Sequence, residues 1–343
     1  MIPAARKPGR FLLLALLLAV AFLVNLGLGS VDIPFSETVS WLFGGQPTEP
    51  SWAYIIRDYR LPKALTAILT GSGLALCGLL MQTLFRNPLA GPFVLGISSG
   101  ASLGAALLIM GASLLGPAAA AWVVSDWSLA LASSLGSLLV LLTVLLVATR
   151  LKDAMALLIV GLMFGSITAA VVTVLSSFAR AERLQQYIFW SYGSVGSLGW
   201  SQLGILALLF GIGTGVSLLL LKGLNALLLG EHYATSLGIP IRRLRLWILI
   251  ATGLLAGGIT AFAGPIAFVG LAVPHLTRQL LGTSDHRLLM PGVLLYGGLL
   301  MLICDTVAQM PYSSYVLPIN AITSVVGAPV VIWLLLRRNR MLF

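Results

Sequence analysis

Charge is what this sequence has least of. Asp, Glu, Lys and Arg together make up 9% of its 343 residues, against about 25% in a soluble globular domain. That shortage excludes a soluble domain. Apolar residues fill the place, at 59% of the chain with a mean hydropathy of +1.03. Runs of the roughly 20 residues that a helix needs to cross a bilayer recur down the whole length. They do not alternate polar with apolar, as the strands of a membrane barrel do. The sequence therefore predicts an all-α integral membrane protein.

Reactive side chains are scarce too. The histidines, His232, His275 and His286, lack metal-ligand spacing and form no His-Glu-x-x-His. Cys77 and Cys304 fall inside apolar runs and read as small apolar side chains. No metal site and no catalytic residue is expected. The lysines are Lys7, Lys63, Lys152 and Lys222, and none follows a glycine, so a Gly-Lys-Ser/Thr phosphate loop is missing. Of the acidic residues, Asp305 alone lies clearly inside an apolar run, near its outer end. An ion-coupled carrier needs acids at the midplane, and a channel needs a filter of carbonyls or charges. Any energy for transport must then come from another chain. An ion-coupled secondary transporter using Asp305 is the alternative reading, and a membrane enzyme, without a nucleophile or base, ranks behind it.

Ten spans are expected, at roughly 11–29, 62–84, 93–115, 128–149, 154–177, 201–222, 245–262, 265–281, 289–309 and 317–336. The first follows Arg-Lys-Pro-Gly-Arg and exceeds the apolar core of about 7–15 residues of a signal peptide, so it reads as an uncleaved span. The pair over 245–281 is short for two crossings, which predicts one abbreviated helix and a break at Gly264-Pro265. Lys and Arg gather on cytoplasmic loops. With both termini inside, only Arg57, Arg60, Lys63, Arg180 and Arg183 of the 20 basic residues lie outside. The net charge of +10 thus reflects membrane orientation, and no nucleic acid is implied.

Glycines spaced by four, such as Gly96, Gly100 and Gly104 or Gly253 and Gly257, suit close helix packing in lipid. GPFVLG at 91–96 echoes GPIAFVG at 264–270, five spans later, a weak inverted repeat of the kind transporters carry.

One compact polar block interrupts the second half: GEHYATSLGIPIRR, residues 230–243. On the ten-span count it is cytoplasmic. Read as one helix over 226–237, it puts Leu229, Tyr233 and Leu237 on one side, with Glu231, His232 and Thr235 more polar. Gly238 suits the position just past a helix C-terminus, and Pro240 follows as a stop. Such a helix lies in a partner's groove or on the membrane surface, and these residues alone leave both open.

Four longer blocks carry a resemblance: RLPKALTAILTGSGLALCGLLMQTLFRNPLAGPFVLGISSGAS (60–102), LGEHYATSLGIPIRRLR (229–245), GPIAFVGLAVPHLTRQLLGTSDHRLLMPG (264–292) and LPINAITSVVGAPVVIWLLLRR (317–338). The chain resembles the FecCD-type permeases, the membrane subunits of ABC importers for ferric siderophores, haem and cobalamin. The resemblance implies a single permease domain over 1–343 with the cobalamin-importer-like (type II) ABC permease fold, in the bacterial cytoplasmic membrane. It implies as partners a second copy of the chain, two ABC ATPase subunits and an extracytoplasmic binding protein. ATP and Mg are then held by the ATPase, with no cofactor in this chain. The cargo implied is a ferric siderophore first, then haem, then cobalamin. By the same resemblance, Leu229, Gly230, Glu231, His232, Tyr233, Ala234, Leu237, Gly238, Ile239 and Pro240 seat in the ATPase. Arg57, Arg60 and Lys63 receive acidic residues of the binding protein. The loop before the last span has no basic residue, which leaves Tyr312 and Tyr315 for docking there, or a weaker contact. Met155, Met163, Phe164, Thr168 and Thr173, on the fifth span, are the implied pathway lining.

Overall fold

A computed structural model describes residues 7–111, 125–151, 154–311, 313 and 315–336. Among these, all regular structure is helical. We number the helices α1 (Lys7–Gly27), α2 (Phe35–Leu42), α3 (Pro50–Tyr54), α4 (Leu61–Leu84), α5 (Ile97–Ile109), α6 (Asp126–Arg150), α7 (Ala154–Phe178), α8 (Ala181–Ser191), α9 (Trp200–Leu219), α10 (Leu221–Leu228), α11 (Glu231–Ser236), α12 (Ile241–Ala263), α13 (Val269–Leu281), α14 (His286–Ala308) and α15 (Ile319–Leu336). A π-helical stretch, Ile55–Arg60, joins α3 to α4, and a 3₁₀ turn, Pro92–Leu95, precedes α5.

Each of the ten expected spans contains a helix, but they are not equal. Among the described residues, seven helical stretches are long and apolar enough to cross a membrane: Pro8–Gly27, Pro50–Leu84, Trp127–Arg150, Ala156–Phe178, Trp200–Leu219, Ile241–Ala263 and His286–Ala308. The expected span at 93–115 shrinks to α5, of 13 residues, about 20 Å at the α-helical rise. The expected break at Gly264-Pro265 is present. It leaves α13 with 13 residues as well.

The two short helices begin alike. Gly96 and Phe268, immediately before α5 and α13, both adopt the left-handed conformation, at φ 72° and 67°. That geometry is routine for glycine and costly for phenylalanine. Each bend is packed on a glycine of a later span. A Cβ on Gly96 would lie 2.8 Å from the Gly161 carbonyl of α7, and a Cβ on Gly327 of α15 would collide with Phe268. Asn320 Oδ1 further accepts the Ala267 N–H at 3.0 Å, satisfying a donor freed by the break.

The chain divides into two compact units, and α4 and α9 each supply residues to both. The first unit holds residues 1–76, 194–208 and 266–343. Within it α14 packs on α1, α13 and α15. Gly71 and Gly297 abut so closely that a Cβ on either would strike the other's carbonyl. Arg10, near the start of α1, donates to the Leu280 carbonyl near the end of α13. The second unit holds residues 77–193 and 209–265, with α5 packed on α6, α7 and α12, and α6 packed on α12. Gly100 meets Gly136, and Gly104 meets Ala132, by backbone-to-backbone approach. The four-residue glycine spacing thus packs helices on α5. Among the described residues, Gly211 and Gly215 on α9 face no neighbour within 4 Å.

Candidate functional site

The polar block is two helices rather than the single one expected over 226–237. Gly230, at φ 110°, separates α10 from α11. A side chain is strained at that φ, and a Cβ there would approach Arg86 Nη1 to 3.5 Å. The C-terminal reading holds: Gly238 takes φ 78°. The Ile239 N–H donates to the Ala234 carbonyl at 3.1 Å and the Gly238 N–H to the Thr235 carbonyl at 2.9 Å. That pair of bonds is a Schellman cap, which satisfies the last carbonyls of α11 and fixes its length. Pro240 then stands directly before α12.

The block turns its apolar side chains outward. Leu229, Tyr233 and Leu237 are 64%, 51% and 58% exposed, whereas Ala234 is fully buried. His232 is exposed, and Ile239 is half-buried. Beneath them Arg245, the fifth residue of α12, is buried. Its Nη2 donates to Glu231 Oε1 at 3.1 Å and its Nη1 to the Leu151 carbonyl at 3.3 Å. The composition offered no sign of this pairing. Arg245 reads as one more basic flank of the span, beside Arg242 and Arg243.

The outer basic residues are used differently from one another. Arg57 is exposed, and its backbone carbonyl accepts from Trp200 Nε1 at 3.2 Å. Arg60, expected to meet a binding protein, is buried instead. Its guanidinium donates to the carbonyls of Leu26, Gly27 and Val31 at 2.8, 2.9 and 2.5 Å. These are the last carbonyls of α1 and the segment beyond, which lack helical partners. Lys63 is likewise turned inward: its Nζ lies 3.3 Å from Asp305 Oδ1, and its aliphatic stem lies beside Gly196. Asp305 Oδ2 accepts from Asn25 Nδ2 and Gln309 Nε2, each at 2.8 Å. The one acid inside a span is thus a paired, buried group. A lone Asn inside an otherwise apolar first span was the signal for it.

Of the pathway candidates on α7, Met163 is 54% exposed and Thr173 is exposed, with its hydroxyl bonded to the Ala169 carbonyl at 2.8 Å. Thr168 is buried, and Phe164 is half-buried against Gly96. These two pack inside the chain rather than on its outer wall. The side chain of Met155 lies outside the described residues, as does Tyr312, while Tyr315 is exposed. Among the described residues no group of three or more His, Cys, Asp and Glu is placed to hold a metal ion.

A helical chain with membrane-length spans and a short capped helix before a long one matches known proteins over nearly its full length. The FecCD transport family model covers residues 17–337. The chain belongs to the FecCD transport family. It is 39% identical over 334 residues to the vitamin B12 import system permease protein BtuC of Klebsiella pneumoniae subsp. pneumoniae, covering 97% of this chain and 95% of that one. It is 36% identical over 336 residues to the protein of the same name from Salmonella typhi, covering 98% and 97%. Among solved structures, one described as a metal-chelate type ABC transporter in an inward-facing conformation superposes with a TM-score of 0.83 at 30% identity. That match covers 96% of this chain and 99% of the other. This FecCD member is therefore a multi-pass membrane permease of a bacterial ABC importer, with the type II importer fold, and is not itself an enzyme.

Proposed function

We propose that this permease imports a bulky metal chelate, delivered by an extracytoplasmic binding protein, as a dimer of identical chains driven by two ABC ATPase subunits. ATP and Mg belong to those subunits. The vitamin B12 relatives support cobalamin as the first cargo to test. Ferric siderophores and haem, which the family resemblance placed ahead of it, follow.

The observation that carries the proposal is the 229–240 block. A six-residue helix capped by Gly238 turns Tyr233 and the following Leu237 outward, with Leu229 exposed just before it, and is held from beneath by a buried arginine. An exposed apolar face on a short, fixed helix suits a groove in a soluble partner. In this reading Leu229, Gly230, Glu231, His232, Tyr233, Ala234, Leu237, Gly238, Ile239 and Pro240 form the ATPase contact and its frame. The chain has ten spans, two of them abbreviated, with both ends in the cytoplasm. The matched left-handed entries of α5 and α13 support an inverted repeat. Because α4 and α9 serve both compact units, we read residues 1–343 as one permease domain.

On the outer side the docking role narrows to Arg57. Arg60 and Lys63 serve it indirectly, by holding the outer ends of α1, α4 and α14 together. Met163 and Thr173 line the pathway at the dimer axis, while Phe164 and Thr168 support that wall from inside; Met155 remains a candidate for the same wall by family resemblance. An ion-coupled carrier would need an unpaired acid within the membrane, and Asp305 is held by Lys63, Asn25 and Gln309.

The test is reconstitution of the dimer with its ATPase and binding protein in liposomes, followed by uptake of radiolabelled cyanocobalamin, a ferric hydroxamate and haem. ATP-dependent uptake of one of them is expected. Uptake that persists without the ATPase, or without ATP, would overturn the reading.

A further inference from the structure

Resting on the assignment of the 229–240 block to the ATPase, we propose that Arg245 is a positioning residue that carries the movement of α11 to two membrane helices at once, α12 and α6.

Three features carry this. First, the guanidinium bridges separate elements: Nη2 reaches Glu231, the first residue of α11, and Nη1 reaches Leu151, the residue capping the C-terminus of α6. A planar guanidinium holds two partners at fixed angles, which a lysine ammonium does not. Second, α11 is fixed at its far end, because the Gly238 cap closes it and only Leu237, Gly238, Ile239 and Pro240 separate it from α12. Arg245 adds a side-chain tie at the end of α11 opposite that short peptide joint, and the same side chain reaches the end of α6. Third, α6 and α12 are packed together beyond the bridge. A Cβ on Gly253 would overlap the Leu141 side chain, and one on Gly257 would lie 3.1 Å from Ser137 Oγ. A push delivered at Arg245 is therefore shared by a pair of helices in direct contact, as tightly packed elements respond together.

The pair is also asymmetric. Arg245 is 5% exposed and the Glu231 side chain 41%. The buried cation stays fixed in the bundle while the carboxylate, on the moving helix, is open to water and to a partner. A buried cation is costly without compensation, and the Glu231 carboxylate contributes to that compensation where α11 stands in this structure.

The experiment uses the full importer in liposomes and reads the fold-stimulation of ATP hydrolysis by the cognate binding protein, a signal that must cross the permease. Glu231→Arg and Arg245→Glu should each cut that stimulation about five- to ten-fold, within the range for residues in a coupling path. Together they should restore it to within about two-fold of wild type. Glu231→Gln, at an exposed position, and Arg245→Lys, which keeps the charge, cover the case in which Arg245→Glu fails to fold; each should cut stimulation about three-fold or more. Wild-type stimulation in both of these, or reversal singles that the double does not improve, would overturn the role of Arg245. Deletion of 231–237 separates the two claims. If the deletion leaves stimulation intact, the ATPase assignment itself fails. If it abolishes stimulation while Glu231→Gln and Arg245→Lys keep it, only the bridge fails.

Discussion

The Lys63–Asp305 pair and the Glu231–Arg245 pair are built the opposite way round. In the first the carboxylate is buried, at 4% side-chain exposure, and the lysine is 19% exposed; in the second the arginine is buried and the carboxylate is 41% exposed. Asp305 is surrounded by two amides besides its lysine, so its lone pairs are satisfied inside the protein. The Glu231 carboxylate accepts from Arg245 and is partly open to water. The first arrangement resists change, because moving any member strands a buried charge. The second tolerates change on one side, because water can replace Arg245 at Glu231. A fixed joint and a working joint differ in which partner the solvent can reach.

Substitutions can break that contrast, and the largest effect is expected at the fixed joint. Lys63→Met leaves Asp305 buried without its cation and should cost about 3–5 kcal/mol, read as a lower Tm of the purified protein in detergent. Adding Asp305→Asn should recover most of the loss, since the amides remain as partners. Arg60→Met removes the donor for three carbonyls and should cost about 2–3 kcal/mol by the same measurement. Gly238→Ala places a side chain at φ 78° and should cost about 1 kcal/mol. Its larger effect should be weaker retention of the ATPase on purification. The smallest stability effect belongs to the working joint: Glu231→Gln should lower stability by no more than about 1 kcal/mol, with Tm nearly unchanged while ATPase stimulation falls. A Glu231→Gln variant as unstable as Lys63→Met would erase the distinction.

How far the sequence revealed this depended on the range of each interaction. Local signals were legible. The long apolar runs marked the helices, Gly264-Pro265 marked the abbreviated α13, and Gly238-Ile239-Pro240 marked the end of α11. Gly230 was misread as helix interior, because a single glycine is compatible with both a helix and a break until its φ is known. The shortening of α5 was missed for the same reason at Gly96. Long-range pairing was not legible. Asp305 lies 280 residues from Asn25, and no spacing rule connects them. Arg60 and Lys63 look like interfacial anchors or docking charges in sequence, and only the position of the α1 carbonyls and of Asp305 turns them inward. A polar residue inside an apolar run, such as Asn25 or Gln309, is the cue that a buried partner exists, though it does not say which.

The most direct test of the central claim uses thiol cross-linking. Cys77 and Cys304 are buried, so an introduced cysteine is the accessible one. Tyr233→Cys and Arg57→Cys should be made separately in the assembled importer, labelled with a reagent that carries a thiol-reactive group and a photoreactive group, and irradiated. The account predicts that Tyr233→Cys joins the permease to the ATPase, and that Arg57→Cys joins it to the binding protein. Labelling of Tyr233→Cys from the extracytoplasmic side of intact cells, with no ATPase adduct, would contradict it.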